Sequence, residues 1–150
     1  MNAQFSLAAP SDEDLVIELM REFYVIEHLE FVENIARIAL RQILADPFWG
    51  FVFLMHVEEQ IAGYLVLSFG FSLEFHGRDA LVDELYVREE YRGQGLGTRS
   101  LQHVEAVCRK EGIHALHLEV DRGNQRGQEF YRRAGYRDHD RYLLTKWLVP

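Results

Sequence analysis

Cysteine is almost missing from this chain: Cys108 stands alone among 150 residues. No internal disulfide can form and no cysteine pair exists to hold zinc, so an oxidised, disulfide-stapled scaffold is excluded. A lone thiol on an apolar helical stripe reads as a small buried hydrophobe rather than a nucleophile. Long hydrophobic runs are missing too. No segment approaches the ~18 consecutive apolar residues of a helical membrane span. The stretch from Met1 to Pro10 has no basic region leading into an apolar one, so a cytoplasmic protein without a membrane partner is expected. Positive charge is also short, with 16 Lys and Arg against 24 Asp and Glu, a net charge of −8. That balance argues against general nucleic-acid binding, which needs basic surface to displace phosphate counterions.

What remains is an ordinary globular composition, 48% hydrophobic, of a length that suits one domain over residues 1–150. The charge is unevenly spread. Residues 1–87 hold 15 acidic and 4 basic side chains, whereas residues 88–141 hold 9 and 11. The two halves are therefore suited to ligands of opposite charge.

Apolar periodicity predicts a short first strand around Phe5 and Leu7. A helix follows from Pro10-Ser11-Asp12-Glu13-Asp14, with Ser11 and Asp14 spaced as a capping box and with Leu15, Leu19, Met20 and Phe23 as its stripe. A second helix is expected over 34–44, with Ile35, Ile38 and Ile43 turned inward, stopped by Asp46-Pro47. Residues 24–31 between them resist assignment. Strands are expected over 51–57 and 61–69 about a Glu58-Glu59-Gln60 turn, then over 80–87, 115–120 and 142–148. Helices are expected from Leu96 to about Glu111, ended by Gly112, and over 125–134, ended by Gly135.

The most informative stretch takes the chain from a strand, Val82 to Val87, through Arg88-Glu89-Glu90-Tyr91-Arg92-Gly93-Gln94-Gly95 into a helix at Leu96-Gly97-Thr98. Unpaired N–H groups at a helix start favour an anion, and glycine lets a phosphate approach the backbone. Arg92 adds a full charge, so the turn suits a diphosphate. A P-loop would need a lysine before Thr98, which Gly97 replaces. A dinucleotide fingerprint would need a third glycine at Thr98 and would follow the strand directly, yet five residues separate Val87 from Gly93.

The remaining pattern is Arg-x-x-Gly-x-Gly, filled by Arg92, Gly95 and Gly97. With Asp83-Glu84-Leu85-Tyr86-Val87 before it, an amphipathic helix and Leu116 to Val120 after it, then Asn124 and Glu129 to Tyr136, the chain resembles the GNAT superfamily of acetyl-CoA-dependent N-acetyltransferases. The resemblance is specific over residues 80–147 and rests on element order alone over 1–79. It implies an α/β (α+β) fold: a mixed, mostly antiparallel sheet of six to seven strands, splayed between the fourth and fifth, with about four helices. It further implies that acetyl-CoA, the acyl donor, lies against Leu85-Tyr86-Val87, with its pyrophosphate over Arg92, Gly93, Gln94, Gly95, Leu96, Gly97 and Thr98. Asn124 resembles a cofactor-contacting asparagine, although a plain helix cap explains it equally. Tyr131 resembles the family's general acid and reaches the cofactor sulfur there. No metal is implied, and the seven histidines are scattered without a ligand-like spacing.

The chemistry needs a base, because an alkylammonium with a pKa of about 10 must lose a proton before attack. Asp83 and Glu84 are adjacent on the strand and point to opposite faces, so one of them serves; Glu84 is favoured, and the choice turns on whether the strand carries a bulge. Glu27, His28 and Glu30, in the segment between the first two helices, are candidate contacts for the acceptor amine. The acidic half favours a small cationic acceptor, polyamine-like or amino-acid-like. A protein N-terminus or lysine, and a non-catalytic acetyl-CoA-binding module, are the alternatives. The resemblance is compatible with a homodimer, although no apolar stripe in the sequence compels one.

Overall fold

The computed structural model describes residues 2–149, and the chain divides at Glu119/Val120 into two compact units. The first holds β1 (Ala3–Leu7), α1 (Glu13–Ile26), α2 (Glu33–Ala45), β2 (Gly50–Val57), β3 (Gln60–Ser72), β4 (Gly77–Val87), α3 (Leu96–Lys110) and β5 (Ala115–Leu118). Its strands form one sheet in the order β1-β2-β3-β4-β5. All neighbours run antiparallel except β4 and β5, which are parallel and joined through α3.

Both faces of this sheet are covered, and strand alternation divides the core in two. Val16, Ile17, Leu19 and Met20 of α1 and Leu40 of α2 pack on Val52, Leu54, Tyr64, Val66 and Tyr86. On the opposite face Leu96, Val104 and Cys108 of α3 pack on Phe53, Met55, Leu65, Leu67, Ala80 and Val82. Cys108 is buried, and burial pushes its thiol up to about 11, as befits an inert filler.

Several details depart from the sequence reading. The sheet has five strands among the described residues, not six or seven, because no strand forms over 142–148. That segment has strand-like composition, but a strand exists only where a neighbour completes its backbone hydrogen bonds. The second unit contains α4 (Gln125–Arg133) and no strand to supply them. At the start of α1 the expected Ser11 and Asp14 capping box is replaced by a 3-10 turn over Pro10–Asp12: the Asp12 carboxylate accepts the Ala9 N–H at 2.8 Å, and Asp12, the N-cap position of α1, makes no side-chain cap to that helix. The β2–β3 turn is Glu58-Glu59 alone, since Gln60 already pairs with Val57.

The largest departure is in α2. Ile43 packs inward as expected, but Ile35 and Ile38 are exposed, and Leu40 with Ala36 and Leu44 completes the packed face. Two arginines explain the rotation. Arg37 reaches Glu13 and Asp14 at 2.6 and 2.7 Å, and Arg41 reaches Glu13 at 2.6 Å. Facing both guanidiniums, the Glu13 carboxyl drops to about 2. The ion pairs select which of two apolar stripes turns inward, and Ile35 and Ile38 are left exposed, as are Val25, Ile26, Leu29 and Val32.

Candidate active site

The site is built around an irregularity in β4. Val66 pairs with Glu84 but its neighbour Leu67 pairs with Val82, so Asp83 is an extra residue, a β-bulge. The bulge reverses the alternation: Ala80 and Val82 pack toward α3, and beyond it Leu85 and Val87 do so. Glu84 therefore lies on the α1/α2 face with Tyr86. The bulge also marks where the sheet opens, since β5 pairs with β4 only from Asp79 to Val82. Among the described residues, no strand pairs with the far edge of β4 from Asp83 to Val87.

The backbone polarity along that edge follows from one hydrogen bond. The Arg88 N–H turns inward to the Ala62 carbonyl at 2.7 Å. By alternation Glu84 and Tyr86 also address β3, and the N–H and C=O of Leu85 and Val87 point outward. The Arg92 Nε donates to the Val87 carbonyl at 2.8 Å, and its guanidinium lies 6.0 Å from the centre of the Tyr86 ring. The cationic end of the loop is thereby folded back against the open strand.

The glycine turn beside it is ready for an anion. Gly95 is the N-cap of α3 at φ 84°, with no side-chain cap, and Arg99 is the first residue whose N–H returns to it. The N–H groups of Leu96, Gly97 and Thr98 thus lack helical partners. Leu96 is buried and anchors the helix, while Gly93, Gln94, Gly95 and Thr98 are exposed. A Cβ built on Gly93 or Gly95 would meet nothing within 4 Å, so those glycines serve backbone conformation and external access rather than internal packing.

Glu84 is the best-defined polar group of the site. Its Oε1 accepts the Tyr64 phenol at 2.6 Å, and its Oε2 accepts the Tyr24 phenol. Burial raises its carboxyl above the ordinary range and outweighs the two phenols, which pull the other way. Asp83 stands exposed on the bulge, and the protein crowding it raises its carboxyl as well. Tyr24 and Tyr64 were not foreseen. Tyr64 is fully buried in β3, where a phenol requires a partner, and that requirement is the only sequence-level signal for it.

Tyr24 belongs to the last turns of α1, in the stretch that resisted assignment. Arg88, paired with Glu22 at 3.0 Å and reaching Glu18 at 3.4 Å, pins this end of the helix to β4. The helix then stops in a Schellman turn: the Leu29 N–H returns to Tyr24 and the His28 N–H to Val25. Helices α3 and α4 end in the same two-bond pattern, with Gly112 and Gly135 in the left-handed position. In α1 that position holds His28, at φ 56°. Histidine tolerates this region better than most residues but still bears its cost. His28→Gly is therefore expected to raise stability by ~0.5–1 kcal/mol in denaturant unfolding. A fall would mean that the imidazole makes contacts worth more than the strain. Glu27 caps the same helix, and Glu27, His28 and Glu30 are all exposed around the turn.

The remaining candidates lie in the second unit. Asn124 is the N-cap of α4, its Oδ1 accepting the Gly127 N–H at 2.9 Å. The capping explanation therefore accounts for its position. Tyr131 sits in the last turn of α4, its carbonyl accepting the Tyr136 N–H and its ring 5.2 Å from that of Phe130.

A sheet that opens beside an uncapped, glycine-rich helix start is suited to laying an extended phosphorylated ligand along a strand. The comparison with known proteins gives that class its family. The pattern of the acetyltransferase (GNAT) family matches residues 13–136, and the chain belongs to it. Thialysine N-epsilon-acetyltransferase of Bos taurus is 33% identical over 78 residues, 52% of this chain and 45% of that enzyme, so the chain spans about half the bovine protein. The Mus musculus enzyme of the same name is 28% identical over 142 residues, 87% of this chain and 82% of its own length. An integron cassette protein from the mobile metagenome of Cole Harbour Salt Marsh has a solved structure that superposes with a TM-score of 0.85 at 33% identity, covering 98% of this chain and 91% of that one. Among the described residues, no helix is long and apolar enough to cross a membrane.

Proposed function

We propose that this chain transfers the acetyl group of acetyl-CoA to the primary amine of a small cationic molecule. The observation that carries the reading is Glu84: a half-buried carboxylate, raised in pKa, on a bulged strand whose other edge is open beside a glycine-rich helix start. The open edge and the vacant space over Gly93 and Gly95 fit a long thioester-bearing phosphorylated ligand. Acetyl-CoA supplies the activated acetyl group.

The chain's own residues do the rest. Leu96, Gly97 and Thr98 N–H groups and Arg92 hold negative charge, and the outward N–H of Val87 is placed to donate to a carbonyl oxygen as charge builds on it. Glu84 takes the proton that the amine must lose, a role its raised pKa suits. Tyr131 is the candidate donor to the departing sulfur, by family resemblance. Mammalian relatives named for thialysine support a small amino-acid-like acceptor. So does the exposed acidic rim at Glu27 and Glu30.

The test is acetyl transfer to a panel of thialysine, 1,4-diaminobutane and an N-terminal peptide. Transfer to either small amine and not to the peptide supports the reading; acetyl-CoA binding without transfer to any would make the chain a binding module. The rim is checked by Glu27→Lys with Glu30→Lys, which should raise KM for 1,4-diaminobutane by ~3–10-fold at low salt and less at about 0.5 M. An unchanged KM removes these carboxylates from the acceptor site.

A further inference from the structure

Among the described residues, the side-chain hydrogen bonds of Glu84 come from two phenols, one on each carboxylate oxygen. The two phenols differ in access. Tyr64 is fully buried between α1 and the sheet. Tyr24 is partly exposed; its ring meets Phe23 and Phe31 edge-on at 5.9 and 5.3 Å, and its carbonyl holds the turn that carries His28. Of the groups touching Glu84, Tyr24 is the one that joins the carboxylate to the rim formed by Glu27, His28 and Glu30.

We infer that Tyr24 is the proton relay between the acceptor amine and Glu84, an inference that rests on Glu84 being the base. In the step, the ammonium N–H bond breaks and its proton passes to the Tyr24 oxygen, directly or through one water. The Tyr24 hydrogen moves to Glu84 Oε2. The amine is left neutral with its lone pair, Glu84 becomes a carboxylic acid, and Tyr24 ends as it began. The two transfers are concerted, because a free phenolate at Tyr24 is opposed by burial and by the Glu84 carboxylate, which together raise its pKa.

The titratable groups that act on Glu84 are Tyr24 from α1, Tyr64 from β3 and Asp83 from β4, while Glu22 of α1 with Arg88 and Arg92 acts on Tyr86, two residues further along β4. Removing either phenol takes one donor from the carboxylate. Both Tyr24→Phe and Tyr64→Phe should therefore move the acid limb of the kcat profile to higher pH. Only the relay predicts that they differ on the alkaline plateau.

The experiment measures kcat and KM against pH for the full chain with acetyl-CoA and thialysine or 1,4-diaminobutane, in Tyr24→Phe, Tyr64→Phe and Glu84→Gln. Tyr24→Phe should lower the plateau kcat ~10–100-fold with both KM values within about twofold, while Tyr64→Phe keeps its plateau within about threefold. Recovery of the wild-type plateau by Tyr24→Phe would reduce Tyr24 to a hydrogen-bond donor and overturn the relay alone. Full activity in Glu84→Gln, or no turnover of either amine by the unaltered chain, would overturn the base and the relay together. Because the two phenylalanine variants each remove one phenol from the same carboxylate, Tyr64→Phe controls for lost stability.

Discussion

Glu84→Gln should lower kcat ~100–1,000-fold at neutral pH while leaving acetyl-CoA affinity unchanged and the melting temperature no lower. The amide keeps the shape of the side chain and can still accept from one phenol and donate to the oxygen of the other, but it cannot take a proton from an ammonium. Calorimetric binding of acetyl-CoA separates the two roles. Weak activity with intact binding identifies a base; weak binding would instead place Glu84 among the groups that hold the donor.

The stability half of this prediction follows from the direction of the Glu84 shift. Its folded pKa lies above its ordinary value of 4.5. Below 4.5 both folded and unfolded chains hold the proton, and the burial costs least. As pH rises, the unfolded chain releases its proton first, so stability falls until the pH passes the raised folded value and is level beyond it. Glutamine has no such window. The variant should therefore gain on the wild type between pH 4.5 and the folded pKa, and keep that gain at pH 7. A catalytic carboxylate kept in an unfavourable place is a common source of such stability gains on removal.

How far the sequence discloses these features depends on how local their causes are. The Arg92, Gly95 and Gly97 turn is legible because a left-handed glycine opening a helix is set by consecutive residues of a loop and helix start, and the α3 stripe is legible because Leu101, Val104 and Cys108 recur at helical spacing. The choice between Asp83 and Glu84 is not legible, because a bulge is a property of register against β3 and leaves no mark in residues 82–87 alone. The same holds for α2, where Ile35 and Ile38 compete on equal terms with Ala36, Leu40 and Leu44 until Arg37 and Arg41 meet Glu13, a contact between separate helices. Tyr24 lies 60 residues from Glu84, so its part in the site exists only in the folded chain. Residues 142–148 show the converse: strong strand propensity is not a strand where the unit around it offers no partner.

The donor side of the site is tested at Gly95, where the second large effect is expected. Its φ of 84° is left-handed, and a Cβ there would enter open space. Gly95→Ala therefore meets no clash inside the protein and bears only the backbone cost, ~1–2 kcal/mol of stability. If the turn holds a diphosphate against its backbone, that same methyl stands where the phosphate must come, and acetyl-CoA should bind at least ~100-fold more weakly, far beyond what the stability loss alone would do to a folded protein. Gly95→Glu adds a carboxylate beside a polyanion and should abolish calorimetric heat altogether. The two substitutions form a graded series: equal, small losses would show that the glycine serves the turn and not a ligand, whereas a large loss with alanine and none remaining to measure with glutamate would place the pyrophosphate on the α3 start. Affinity unchanged in both, with the fold intact, would move the donor away from this helix and leave the open edge of β4 without its ligand.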